Sequence, residues 1–124
     1  MKNDIQSRID IETLVQAFYT KVRNENSLNK YFSKVIPVDW NLHYVKMADF
    51  WENILFFTGN YDGNLMEAHK RINEKQTMVP NEFEIWIKLF CSTVDELFEG
   101  KNAEKIKSSS TQIALIMKSK IYTA

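Results

Sequence analysis

The sequence has few of the residues that interrupt helices and only one residue that could form a disulfide. Its 124 residues include three glycines, two prolines and one cysteine. So few chain-breaking residues disfavour a turn-rich β fold and favour a small number of long helices. The single cysteine, Cys91, excludes a disulfide within the chain. We therefore expect an all-α protein of a reducing compartment.

The chain also has no excess of positive or negative charge and no long apolar run. The 16 lysines and arginines balance 16 aspartates and glutamates, and nucleic acids or anionic membranes would require a basic excess. No apolar run reaches the ~18 residues of a membrane-spanning helix. The first residues lack the apolar stretch of a signal peptide. We expect a cytoplasmic protein with neither a nucleic-acid nor a membrane partner.

The common nucleotide-binding and hydrolytic motifs are absent. The glycines stand alone at positions 59, 63 and 100, so neither GxGxxG nor a P-loop can form, and HExxH, CxxC and GxSxG do not occur. What the chain does contain is 44% hydrophobic and 13% aromatic residues, a composition typical of a packed globular core. Its length and even composition predict one domain over residues 1–124.

Apolar residues recur at helical spacing and predict four main helices with shorter connectors. The first helix carries the stripe Ile11, Leu14, Val15, Phe18 and Val22. A second helix runs from about Trp40 to Phe57, with Asp39 as its N-cap and Gly59 as its stop. Pro80 begins a third helix, which Gly100 ends, and a fourth occupies the remainder of the chain.

The two histidines, His43 and His69, lie on apolar stripes of successive predicted helices, His69 within a short segment over Leu65–Ile72. The connector between them can reverse the chain, so the imidazoles could face one another across a slot. A flat apolar cofactor with a central metal would suit such a slot. Its lining would be Phe32, Met47, Phe50, Met66, Ile72, Phe83 and Trp86. An ordinary helical core containing two histidines is the alternative, because periodicity alone does not separate the two.

The order and spacing of these residues resemble those of a truncated haemoglobin of the third group. The matching segments are Phe18-Tyr19, Phe32, Asp39–His43, Met47–Trp51, Tyr61–Gly63, Met66–His69, Phe83–Phe90 and Thr93–Phe98. The resemblance covers about residues 8 to 118. It implies an all-α, shortened globin fold in which two helices stacked on two enclose haem b.

The resemblance also implies roles for individual residues. His69 matches the proximal histidine, whose Nε2 binds the haem iron. Tyr19, His43 and Trp86 match the ligand-stabilising residues on the distal side, where His43 could gate the pocket, donate a hydrogen bond or bind iron as a sixth ligand. The other candidate cofactor contacts are the apolar residues Phe32, Met47, Phe50, Met66, Ile72 and Phe83, and the propionate partners Lys46, Tyr61 and Arg71.

The function implied by the resemblance is reversible binding of O2 and other small ligands, such as CO and nitric oxide, at pentacoordinate iron. Hydrogen bonds from Tyr19 and Trp86 would make O2 binding tight. The runner-up is a haem enzyme that detoxifies nitric oxide or peroxide, with an external reductase because the chain has no flavin domain. Two further alternatives are electron transfer with both histidines on iron, and a cofactor-free helical interaction module.

Overall fold

All regular structure in the described part of the chain is helical. The structure is a computed structural model that describes residues 2–31, 39–59, 69, 73 and 80–123. Its helices within these residues are α1 (Arg8–Asn24), α2 (Asn26–Lys30), α3 (Trp40–Phe56), α4 (Pro80–Leu97) and α5 (Lys101–Thr123). The all-α prediction is confirmed. Among the described residues, none of the helices combines the length and apolar character needed to cross a bilayer.

The predicted apolar stripe of α1 is the side of the helix that faces the core. Every member of that stripe is at most 1% exposed. Ser7 is the N-cap residue, as its position before the stripe suggests, but its side chain makes no capping hydrogen bond. Asp10 Oδ2 instead accepts the backbone N–H of Gln6 at 2.8 Å. An acidic side chain in the first turn therefore satisfies the backbone at this helix start.

Helix α3 begins as predicted and ends within one residue of its predicted end. Asp39 accepts the backbone N–H of Leu42 at 3.2 Å and so caps the helix. The C-cap residue is Phe57, which is left-handed with φ 56° and ψ 42°, and Gly59 two positions later also has a positive φ of 73°. The carbonyl of Asn53 accepts the N–H of Phe57 at 2.9 Å, and its side-chain oxygen accepts that of Gly59 at 2.7 Å.

The core forms where α1 packs against both α3 and α4, and where α5 packs against α4 and α3. At its centre three large rings meet. Phe90 of α4 stacks on Trp51 of α3 with centroids 4.8 Å apart, and it meets Phe18 of α1 edge-on at 5.1 Å. These contacts fix the three helices that carry most of the candidate site residues.

The N-terminal segment ties α5 to the rest of the fold. Asp4 accepts the backbone N–H groups of Asn102 and Ala103, both at 2.9 Å, at the start of α5. The side chain of Asn102 returns a bond to the carbonyl of Ile5 at 2.7 Å, and Ile5 is fully buried. Gly100 allows this approach, because it has φ 144° and a Cβ there would lie 2.5 Å from Asp4 Cγ.

Candidate ligand-binding site

The packing of α1 on α3 brings two of the predicted distal residues together. The rings of Tyr19 and His43 meet edge-on, with centroids 4.7 Å apart. Tyr19 lies on the same side of α1 as the buried stripe and is 6% exposed, whereas His43 is half-buried. The expected juxtaposition of a phenol and an imidazole is therefore present.

Two further rings, which were not predicted to belong to the site, pack beside Tyr19 and His43. Trp40 lies edge-on to His43 at 5.7 Å and 6.0 Å from Tyr19, measured between centroids. Tyr44 lies 5.7 Å from Trp40 and 6.1 Å from Tyr19. The sequence does contain a signal for this grouping. Trp40 lies three positions before His43 and Tyr44 lies four positions after Trp40, and residues three or four apart share one side of a helix.

Burial sets the protonation state of Tyr19. Removal of its hydroxyl from water, together with the neighbouring Tyr44, raises the pKa of Tyr19 well above its ordinary value. The charged phenolate is disfavoured in such surroundings. Tyr19 therefore keeps its O–H proton and can act as a hydrogen-bond donor throughout the physiological pH range.

His43 is held in its neutral form. Burial, with smaller contributions from the charges of Lys46 and His69, lowers the pKa of His43 to about 4. A neutral imidazole can donate at one ring nitrogen and accept at the other.

Trp86 reaches the same region from α4. Its ring stacks on Phe90 with centroids 5.5 Å apart and a 7° angle between the planes. Phe18 meets Trp86 edge-on at 5.6 Å and Tyr19 edge-on at 4.9 Å. Phe18 thus connects the two side chains that the sequence analysis proposed as ligand donors.

The predicted apolar stripe of α3 is not its core-facing side. Ala48, Trp51 and Leu55 are buried. The stripe that contains His43 comprises Met47, Phe50 and Ile54, all of which are half-buried and pack against the core only in part. It lies about 100° around the helix from the buried side, because neighbouring residues differ by that angle. Large apolar side chains therefore remain partly uncovered next to His43.

The remaining candidates divide into those that the structure describes and those that it does not. Lys46 is exposed, and Phe83 is 5% exposed and packs on α5 with Ala114 and Met117. His69 is helical and half-buried. Outside the described residues lie Phe32, Tyr61, Met66, Arg71 and Ile72.

The described residues suit a flat apolar cofactor held by an axial imidazole. His69 supplies a half-buried imidazole, and Met47, Phe50 and Trp86 supply partly uncovered apolar surface. Tyr19 adds a protonated hydroxyl. Apolar walls with a few polar groups are the usual composition of a cofactor site, and a histidine imidazole is one of the usual axial ligands of haem iron.

The class of protein follows from a comparison of the fold with solved structures. The crystal structure of a group III truncated haemoglobin from Campylobacter jejuni superimposes with a TM-score of 0.86 and 26% sequence identity, covering 98% of this chain and 96% of that one. The chain therefore has the truncated globin fold, which confirms the predicted shortened globin architecture.

The sequence comparison indicates which group of truncated haemoglobins the chain resembles. No family model matches the chain. Over 126 aligned residues the chain is 28% identical to the group 3 truncated haemoglobin ctb of Campylobacter jejuni, with 98% of this chain and 96% of that protein covered. Sequence and fold together confirm that the chain resembles the group III truncated haemoglobins over nearly its whole length. This relationship supports a globin-type haem protein.

Proposed function

We propose that this protein binds haem b through His69 and reversibly holds small diatomic ligands, above all O2, at a pentacoordinate iron. The observation that carries the proposal is the meeting of a buried, protonated Tyr19 with a neutral His43 on the same side of α3 as the half-buried Met47 and Phe50. When bound, haem supplies iron with an open axial position for the ligand.

The cofactor would be held mainly by His69 and by the uncovered apolar side of α3. Met47 and Phe50 would pack on the porphyrin, since both are half-buried apolar side chains on the same side of α3 as His43. Lys46 is exposed one position before Met47 and is a candidate propionate partner. The other proposed contacts are Phe32, Met66, Ile72 and Phe83 on the macrocycle, and Tyr61 and Arg71 at the propionates.

Ligand retention would depend on hydrogen bonds from the distal side chains. A hydrogen-bond donor in a poorly hydrated pocket would stabilise a ligand that carries partial negative charge, through a charge-assisted bond. Tyr19 supplies one O–H donor. Trp86 supplies an indole N–H, and both side chains contact the ring of Phe18. Two such bonds would retain O2 too tightly for rapid delivery.

Absorption spectra of the purified protein test the proposal. We expect a Soret band that shifts when the dithionite-reduced protein receives CO, and high-spin ferrous features before CO is added. A low-spin ferrous spectrum would contradict the pentacoordinate state and favour electron transfer with both histidines on iron. A colourless protein that takes up no added haem would contradict haem binding and favour a helical interaction module.

A second candidate function, peroxide reduction, is favoured by the neutral state of His43. A distal imidazole with a pKa of about 4 can accept a proton from one peroxide oxygen and return it to the other, while Tyr19 beside it donates a hydrogen bond. Two electrons and two protons from an external reductant would convert each peroxide to two waters. Steady-state oxidation of a reductant by peroxide, compared with His43→Gln, tests this function.

A further inference from the structure

Arg23 and Trp40 extend the distal ring group to the protein surface. The guanidinium carbon of Arg23 lies 4.4 Å from the centroid of the Trp40 ring, within the range of a cation–π interaction. Arg23 is exposed and Trp40 is half-buried. Trp40 in turn lies edge-on to His43 with centroids 5.7 Å apart.

Helical spacing explains why these contacts form in register. Arg23 lies four residues after Tyr19 on α1, and Trp40 lies three residues before His43 on α3, so each pair shares one side of its helix. When Tyr19 packs on His43, the next turn of α1 therefore meets the preceding turn of α3. The Arg23–Trp40 contact is the outer member of the same helix pairing.

We propose that Arg23 and Trp40 are positioning residues that hold the His43 imidazole against Tyr19 and thereby limit ligand entry to the distal pocket. The His43 imidazole contacts both the Tyr19 ring and the Trp40 indole, which also lie 6.0 Å apart, so the three rings form a triangle. Trp40 thereby restricts rotation of the imidazole away from Tyr19, and the Arg23 guanidinium restrains Trp40. This inference rests on the proposed function.

The rate of CO association after flash photolysis of the reduced, haem-loaded protein tests this role. We expect Arg23→Gln to accelerate association about two- to fivefold, which corresponds to the strength of an exposed cation–π contact. Arg23→Lys keeps the cation and should stay near the wild-type rate. Trp40→Leu should accelerate association further, and adding Arg23→Gln to it should have no additional effect, since the contact is already lost.

A charge-matched control and a structural readout separate positioning from general effects. Lys21→Gln removes a charge from the same helix but breaks only the 2.9 Å pair with Glu96, so it should leave the rate unchanged. In NMR spectra of the diamagnetic CO complex, cross-peaks between the His43 imidazole and the Trp40 indole should be present and should weaken in Arg23→Gln.

The outcomes distinguish this inference from the proposed function. A CO-sensitive Soret band with equal association rates in wild type, Arg23→Gln and Trp40→Leu would overturn the positioning role alone. Missing His43–Trp40 cross-peaks in the wild-type complex would do the same. No CO-sensitive band in the wild-type protein would overturn the proposed function and this inference together.

Discussion

Replacement of Tyr19 by phenylalanine removes one hydroxyl from the distal pocket and keeps the ring. The ring contacts with Phe18 at 4.9 Å and His43 at 4.7 Å should survive the change. Because Tyr19 is 6% exposed, water cannot readily replace the lost donor. The substitution therefore isolates the hydrogen bond that we propose between the Tyr19 hydroxyl and O2.

The magnitude follows from the protonation state and burial of that hydroxyl. The raised pKa of Tyr19, caused by burial, keeps the donor proton in place. A hydrogen bond to a charged partner contributes roughly 1.5–3 kcal/mol, so its loss should accelerate O2 dissociation about 10- to 100-fold. O2 association should change little, because the bond forms only after the ligand has bound.

Stopped-flow displacement of O2 by CO measures this dissociation rate. Tyr44→Phe is the matched control, since it removes a hydroxyl from a ring 6.1 Å from that of Tyr19 without removing the proposed donor. We expect its O2 dissociation rate to match the wild type. An O2 dissociation rate in Tyr19→Phe equal to that of the wild type would refute the proposed donor role.

Three further predictions concern stability. Asp4→Ala should lower the free energy of unfolding by about 1–2 kcal/mol, as loss of a helix cap does, in chemical denaturation at neutral pH; an unchanged midpoint would show that the cap contributes nothing. Gly100→Ala should cost about 1–3 kcal/mol, because the new methyl group meets Asp4 and the backbone has φ 144°; equal Tm values by calorimetry would contradict this. His43 has a folded-state pKa of about 4 against an ordinary value of 6.5. The unfolded chain therefore takes up this proton at a higher pH than the folded protein does. The free energy of unfolding should fall by about 1–2 kcal/mol as the pH drops between these two values. Urea midpoints of the wild type and His43→Gln against pH should diverge below 6.5, and parallel curves would contradict the shift.

The helices that pack by a single apolar side were predictable from the sequence. In α1 the spacing of Ile11, Leu14 and Phe18 coincides with complete burial of all three, because one stripe meets both α3 and α4. In α3, Met47 and Phe50 were predicted to line a cofactor slot with His43, and they are half-buried, whereas Ala48, Trp51 and Leu55 form the buried side. A helix with one apolar side toward the core and another toward a ligand cannot be resolved by periodicity alone.

The relations between helices were not available from local patterns. The contacts of Arg23 with Trp40 and of Trp40 with His43 depend on the way α1 crosses α3. Phe57, a non-glycine residue, adopts the left-handed conformation at the end of α3, and the Asn53 side chain accepts the N–H of Gly59; the sequence pattern indicated neither. The resemblance to a family supplied the ligand roles, which tertiary structure alone would not have suggested.

The central claim is that His69 binds the iron of haem b, and one pair of variants tests it most directly. Absorption spectra of the oxidised, reduced, and reduced plus CO forms should be recorded for the wild type, His69→Ala and His43→Ala. We predict that His43→Ala keeps a CO-sensitive Soret band, whereas His69→Ala loses or displaces it. Wild-type spectra in His69→Ala would contradict the account, because the iron would then have its axial ligand elsewhere.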